Sequence, residues 1–156
     1  YGKDYKDDLV WMYKMMFPPR YPNIAFIGLI VSAGAIFPVS EMQARYVTSQ
    51  IKGFIKPLPS PAEMDQCIRD RYERIRKFYV DPSRHSIQAK PLLYLDELSQ
   101  EIGCYPYAFE IIKKFGLGFW KLITFGLATP IQFRLLGRNS WEGSKEAILL
   151  YNKRAA

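Results

Sequence analysis

The sequence predicts a mostly α-helical chain with one strand segment near its start. Three observations carry that reading. Cap signatures recur at Ser40, Ser60 and Thr129, where a hydroxyl accepts from the first free amides of a helix. Apolar residues follow each signature at three- and four-residue spacing. Only one run, Ile24-Ala25-Phe26-Ile27 ahead of Gly28, has the short, continuous apolar character of a buried strand.

The elements follow in order. Residues 1–20 mix charged and aromatic side chains and close on Phe17-Pro18-Pro19-Arg20. From Tyr21 to Ser40 there is no charge, about the length of a membrane span. Pro22, Asn23, Gly28, Ser32, Gly34 and Pro38 argue against a span, and a strand leading into a Gly-rich turn is the better reading. Ser40-Glu41-Met42-Gln43 is a capping-box pattern in which Gln43 reaches back to the serine. Val47, Ile51, Phe54 and Ile55 then stand at helical spacing, and Pro57 ends the run. Ser60-Pro61-Ala62-Glu63 opens a second helix, with proline where its missing amide costs nothing. Met64, Ile68, Ile75 and Phe78 form its apolar face, and Asp81-Pro82-Ser83 is a turn. Leu95, Leu98 and Ile102 mark a third helix, closed by Gly103. Tyr107 to Leu127, interrupted by glycines, reads as two short helices whose Phe119, Trp120 and Phe125 are core residues. Thr129-Pro130-Ile131-Gln132 starts another helix that Gly137 closes, and a last one runs from Trp141 to about Asn152.

Composition excludes several classes of function. Of the 156 residues 49% are hydrophobic and 24% charged, which rules out disorder. Cys67 and Cys104 stand far apart and form no disulfide framework or C-x-x-C motif. The one histidine, His85, removes histidine-rich metal sites and most triads, and a structural role suits it. A formal charge of +7 suits an anionic partner. The basic run from Arg69 to Lys77 is not read as a nucleic-acid site, however. Asp65, Asp70 and Glu73 stand four residues before Arg69, Arg74 and Lys77, the spacing of surface ion pairs. No metal ligands and no catalytic residues are assigned.

Cofactor and catalytic motifs are also lacking. Gly116-Leu117-Gly118 is the nearest approach to a dinucleotide fingerprint, but Lys121 takes the third glycine position and no strand precedes it. Ser49-Gln50-Ile51-Lys52 matches S-x-x-K without the partner motifs of that class. Asp96, Glu97 and Glu101 read as the polar face of a helix. The chain starts at Tyr1 with no initiator methionine and no signal-peptide pattern, so a fragment of a longer protein is expected.

Several blocks, taken in order, resemble the C-terminal part of the animal-type flavin-containing monooxygenases, the N-oxide-forming dimethylaniline monooxygenase family. The first holds Tyr13-Lys14, Phe17-Pro18-Pro19, Ile27-Gly28-Leu29-Ile30, Gly34-Ala35-Ile36-Phe37-Pro38 and Ser40 to Tyr46. The second is Arg84 to Gln88 with Tyr94-Leu95-Asp96-Glu97-Leu98 and Glu101-Ile102-Gly103. The third is Thr129 to Gly137 with Trp141-Glu142-Gly143 and Ala147-Ile148-Leu149.

The resemblance implies an intact α/β protein with two dinucleotide-binding Rossmann-type domains, FAD and NADPH. It implies that a flavin hydroperoxide, formed with O2, oxygenates soft nitrogen or sulfur atoms of small molecules, the cofactor carrying the difficult chemistry. The family's glycine fingerprints and its F-x-G-x-x-x-H motif would lie upstream of Tyr1, so the fragment alone is expected to be inactive. Residues 1–23 would connect from the nucleotide-binding region, 24–56 would end the FAD domain, and 57–156 would form a helical C-terminal region. Gly28, Leu29, Val31 and Ser32 would then lie in a turn beside the flavin. The vertebrate pattern carries Gln-Pro-Leu where this chain has Val31-Ser32-Ala33, and Val31 can neither donate nor accept. The family further implies the cytosolic face of the endoplasmic reticulum membrane. Many animal members end in an apolar membrane tail; the stretch to Asn152-Lys153-Arg154 is not of that kind, but the charge and the aromatic Tyr107–Leu127 stretch suit a membrane surface. The alternative from another class is a truncated, non-catalytic paralogue that binds a partner or a membrane.

Overall fold

Helix ends in this chain fall where proline and glycine put them. The computed structural model describes residues 10–32, 34–78 and 88–155. It divides into two compact units, Tyr1–Leu95 and Asp96–Ala156. The described residues are mostly helical, as the sequence predicts.

In the first unit, α1 (Phe37–Ile51) begins before the Ser40 signature, because Pro38 already sets the backbone of its first turn. No side chain caps it, and the Ser40 amide donates to Ile36 O at 3.0 Å. The capping box read at Ser40–Gln43 is therefore not formed. Gly53, left-handed at φ 66°, follows the last turn and leaves Phe54 and Ile55 outside the helix. The buried face is Val39, Met42, Gln43, Arg45 and Tyr46, whereas Ile51 is 76% exposed.

The second capping box forms as read. In α2 (Pro61–Phe78), the Glu63 amide donates to Ser60 Oγ at 3.4 Å, and the Ser60 amide donates to Glu63 Oε2 at 2.8 Å. The Ser60 hydroxyl also donates to Glu63 Oε2 at 2.6 Å, and that bond, followed by the one from the Ser60 amide, holds the Glu63 carboxyl below its usual range. Met64, Ile68 and Tyr72 are buried. The expected ion pairs do not close among the described residues. Asp65 instead accepts from Trp11 Nε1 at 2.6 Å, and Asp70 from Gln66 Nε2 at 2.7 Å. Exposed ion pairs are worth little, so a short hydrogen bond to one partner displaces them.

The strand expected at Ile24–Ile27 is not formed. The described strands are β1 (Val31–Ser32) and β2 (Gln88–Ala89), which run parallel with Val31 opposite Gln88 and Ser32 opposite Ala89. A strand needs a neighbour to take its amides and carbonyls. Residues 24–27 have none among the described residues: Ile24 N–H bonds back to Tyr21 O, and Phe26 N–H to Met16 O. Ile24, Phe26 and Ile27 are each nearly half exposed. The Asp81–Ser83 turn and His85 lie outside the described residues.

In α3 (Pro91–Glu101), Tyr94, Leu95 and Leu98 are buried, and Gly103 stops the helix at φ 71°. Two short helices follow as expected, α4 (Ala108–Phe115) and α5 (Leu117–Phe125), separated by Gly116 at φ 89°. The second unit's core gathers Ile111, Phe119, Leu135 and Ile148, with Trp120 partly buried against them. Phe125, read as core, is 78% exposed, since it lies on the side of α5 turned away from Phe119. The Thr129 hydroxyl accepts from the Ile131 amide at 3.4 Å, but the turn it starts, Pro130–Arg134, is a 3₁₀ helix. Finally α6 (Ser144–Ala155) starts later than Trp141, whose indole lies over Gly143 and would meet a Cβ there at 2.6 Å. No helix among the described residues is long and apolar enough to cross a membrane.

Candidate functional site

The Gly28 turn is held by one buried side chain, which is itself held by a second. Gly28 is left-handed at φ 82°, and a Cβ on it would lie 3.3 Å from Ser40 Oγ. Its amide donates to Gln43 Oε1 at 2.8 Å. Gln43 is fully buried on α1, and its Nε2 donates to Tyr94 Oη on α3 at 2.9 Å. The Tyr94 hydroxyl in turn donates to Lys14 O at 2.7 Å. Lys14 and Met15 are both left-handed, at φ 48° and 54°, in a tight reversal closed by Tyr13 and Phe17. Non-glycine residues rarely take that conformation, so an external acceptor bond at Lys14 is a local stabiliser.

Arg71 of α2 completes this region. Its Nη2 lies 3.1 Å from Met15 Sδ and its guanidinium stands over the Tyr72 ring at 5.6 Å. Burial pulls its pKa down, which the neighbouring Tyr72 and Tyr94 partly offset.

Each sequence-expected site residue has a definite place. The Gly28 amide is occupied by Gln43 and faces the protein interior. Leu29 and Val31 point outward, 41% and 52% exposed, while Ile30 between them is 4% exposed and anchors the segment. Ser32 pairs through its backbone with Ala89. These four residues therefore share one short extended segment but not one role. Sequence reasoning missed Gln43 and Tyr94 as partners of the turn. Gln43 had been assigned the back-reaching position of a cap, and the same amide serves a different backbone N–H. Nothing in the spacing of Tyr94 pointed to it.

What this surface can hold follows from its chemistry. Residues 21–40 carry no charge, and the outward side chains Leu29 and Val31 are aliphatic. That fits an uncharged ring system such as the flavin nucleus rather than a diphosphate, which needs cations or free amides. The sequence carries no complete glycine fingerprint for a nicotinamide dinucleotide. Among the described residues no group of histidine, cysteine or carboxylate side chains could hold a metal ion.

Comparison with known proteins gives the family. Residues 3–156 match the family described as FMO-like, flavin-binding monooxygenase-like. The chain is 41% identical over 145 residues to flavin-containing monooxygenase 5 of Cavia porcellus, covering 90% of this chain and 26% of that protein. It is 38% identical over 148 residues to flavin-containing monooxygenase 5 of Homo sapiens, covering 92% and 27%. With dimethylaniline monooxygenase [N-oxide-forming] 2 of Rattus norvegicus it shares 38% identity over 151 residues, covering 96% and 28%. The chain thus spans roughly a quarter of the length of the relatives it matches. With the family matched from residue 3 to residue 156, this chain belongs to the flavin-binding monooxygenases.

Proposed function

We propose that the protein containing this chain is an FAD- and NADPH-dependent monooxygenase acting on soft nitrogen or sulfur atoms of small molecules. The observation that carries the reading is the family match over residues 3–156. The name of the rat relative, which specifies N-oxide formation from dimethylaniline, favours a tertiary amine as first substrate. When bound, the flavin would supply the activation of O2. This chain's part is to present the outward face of Leu29 and Val31 to the ring, with Ser32 and the Gly28 turn fixing that segment. The nucleotide-binding motifs would be supplied by sequence before Tyr1, so the 156 residues alone are expected to bind no FAD.

The test is to purify the full-length protein and follow NADPH consumption with and without N,N-dimethylaniline or a thioether. Stoichiometric flavin and O2-dependent formation of the N-oxide or sulfoxide are expected. Colourless protein that oxidises no NADPH under any of these conditions would sink the proposal.

The proposed location is the cytosolic face of the endoplasmic reticulum membrane. Phe109 and Phe125 are 73% and 78% exposed in the second unit, and Lys113 and Lys121 are exposed on the same two helices. Each helix thus carries an exposed aromatic and an exposed lysine four residues apart, Phe109 with Lys113 and Lys121 with Phe125, which suits a headgroup layer. Flotation of the full-length protein with anionic liposomes should recover it at the top of the gradient. The double change Phe109→Ser, Phe125→Ser should shift it toward the soluble fractions.

A further inference from the structure

A fully buried glutamine is costly unless both ends of its amide are matched. An apolar side chain of similar volume would fill the same space between α1 and α3 without that demand. What the amide adds is direction. Its oxygen fixes the Gly28 N–H at 2.8 Å, and its nitrogen is fixed by Tyr94 Oη at 2.9 Å. Tyr94 cannot drift either, because its own proton goes to Lys14 O at 2.7 Å. The bonds form one line, Gly28 N–H to Gln43 to Tyr94 to Lys14, joining four separate segments of the first unit.

That line governs which side chains face outward. In an extended segment successive side chains alternate, so a slip of one residue exchanges the faces. With Gly28 anchored, Leu29 and Val31 face out and Ile30 enters the core at 4% exposed. Released, the turn would keep, among the described residues, the buried Ile30 and the two-residue pairing of β1 with β2 to hold it.

We infer that Gln43 and Tyr94 are positioning residues for the cofactor: they set the register of the Gly28 turn, and with it the surface offered to the flavin ring. The inference rests on the flavin-side reading of that turn. The Gly28 amide is itself no ligand, since Gln43 occupies it.

The experiment uses the full-length flavoprotein, with FAD as the probe. Apoprotein of Gln43→Met, Gln43→Glu and Tyr94→Phe is titrated with FAD, and the absorption and fluorescence of the bound flavin are recorded beside a thermal melt. Gln43→Met and Tyr94→Phe should bind FAD about tenfold more weakly, the scale of a lost hydrogen bond to a buried donor. Their flavin spectra should shift as well. Gln43→Glu keeps an acceptor for Gly28 and should recover much of the affinity. Wild-type affinity and spectrum in folded Gln43→Met would overturn the inference. Should that variant fail to melt cooperatively, Tyr94→Phe, which keeps ring and volume, decides by the same criterion. Val31→Lys separates the underlying reading: unchanged FAD binding there would mean the turn does not face the flavin. Weakened binding there with unchanged binding in the relay variants would retain the turn and remove Gln43 and Tyr94.

Discussion

At the scale of single residues, Gly137 is constrained by both its conformation and its surroundings. It is left-handed at φ 80°, and a Cβ would come within 2.7 Å of Gly103 O and 3.1 Å of Cys104 Cβ. Neither neighbour is the end of a flexible side chain, so relief requires backbone movement. Gly137→Ala should therefore destabilise the fold by about 2–3 kcal/mol, combining strain and overpacking, measurable by urea denaturation. Asp96 offers a test of sign. Burial raises its carboxyl pKa, so the charged form is disfavoured in the folded chain. Its protonated form costs nothing, and stability is lost as pH rises from the unfolded pKa through the raised folded one. Asp96→Asn should then melt higher than the parent at pH 7, with the gap closing as pH falls below the carboxylate range. Equal melting temperatures at both ends would contradict this. Single residues were also where the sequence said least about the site. Gln43 has one amide and two candidate backbone partners, and only the three-dimensional path of the chain decides between Ser40 and Gly28.

At the scale of elements, the sequence was most legible where a local rule had no rival. The Ser60–Glu63 box, the break at Gly116 and the stop at Gly103 all depend on neighbours within a few residues, and all form as read. Gly116 adopts φ 89° with open space around a would-be Cβ, so steric crowding plays no part there. Gly116→Ala should cost about 1 kcal/mol, from the backbone alone, read as a lowered midpoint in thermal unfolding. The misreadings have a common origin in contacts from further away. Trp11 took the carboxylate of Asp65, and among the described residues Ile24–Ile27 have no neighbouring strand; the early start of α1 at Pro38 is the local exception. A β-prone run states a demand for partners, and the rest of the molecule determines whether they stand alongside.

At the scale of the whole molecule, the chain divides into two compact units and spans about a quarter of its relatives' length, so a core truncation is best read within its own unit. The helical character of the described part agrees with composition, while the α/β architecture of the intact protein stays a family expectation. Ile148→Ala, fully buried in the second unit, should lower stability by about 2–5 kcal/mol. Amide hydrogen exchange should locate the largest loss of protection within residues 96–156. The same measurement gives Gly28 a use of its own. Its N–H belongs to no helix and no ladder, yet it is bonded to a buried side chain. It should therefore exchange slowly, and its rate is a clock for the turn: each escape of deuterium counts one opening of the surface that Leu29 and Val31 present.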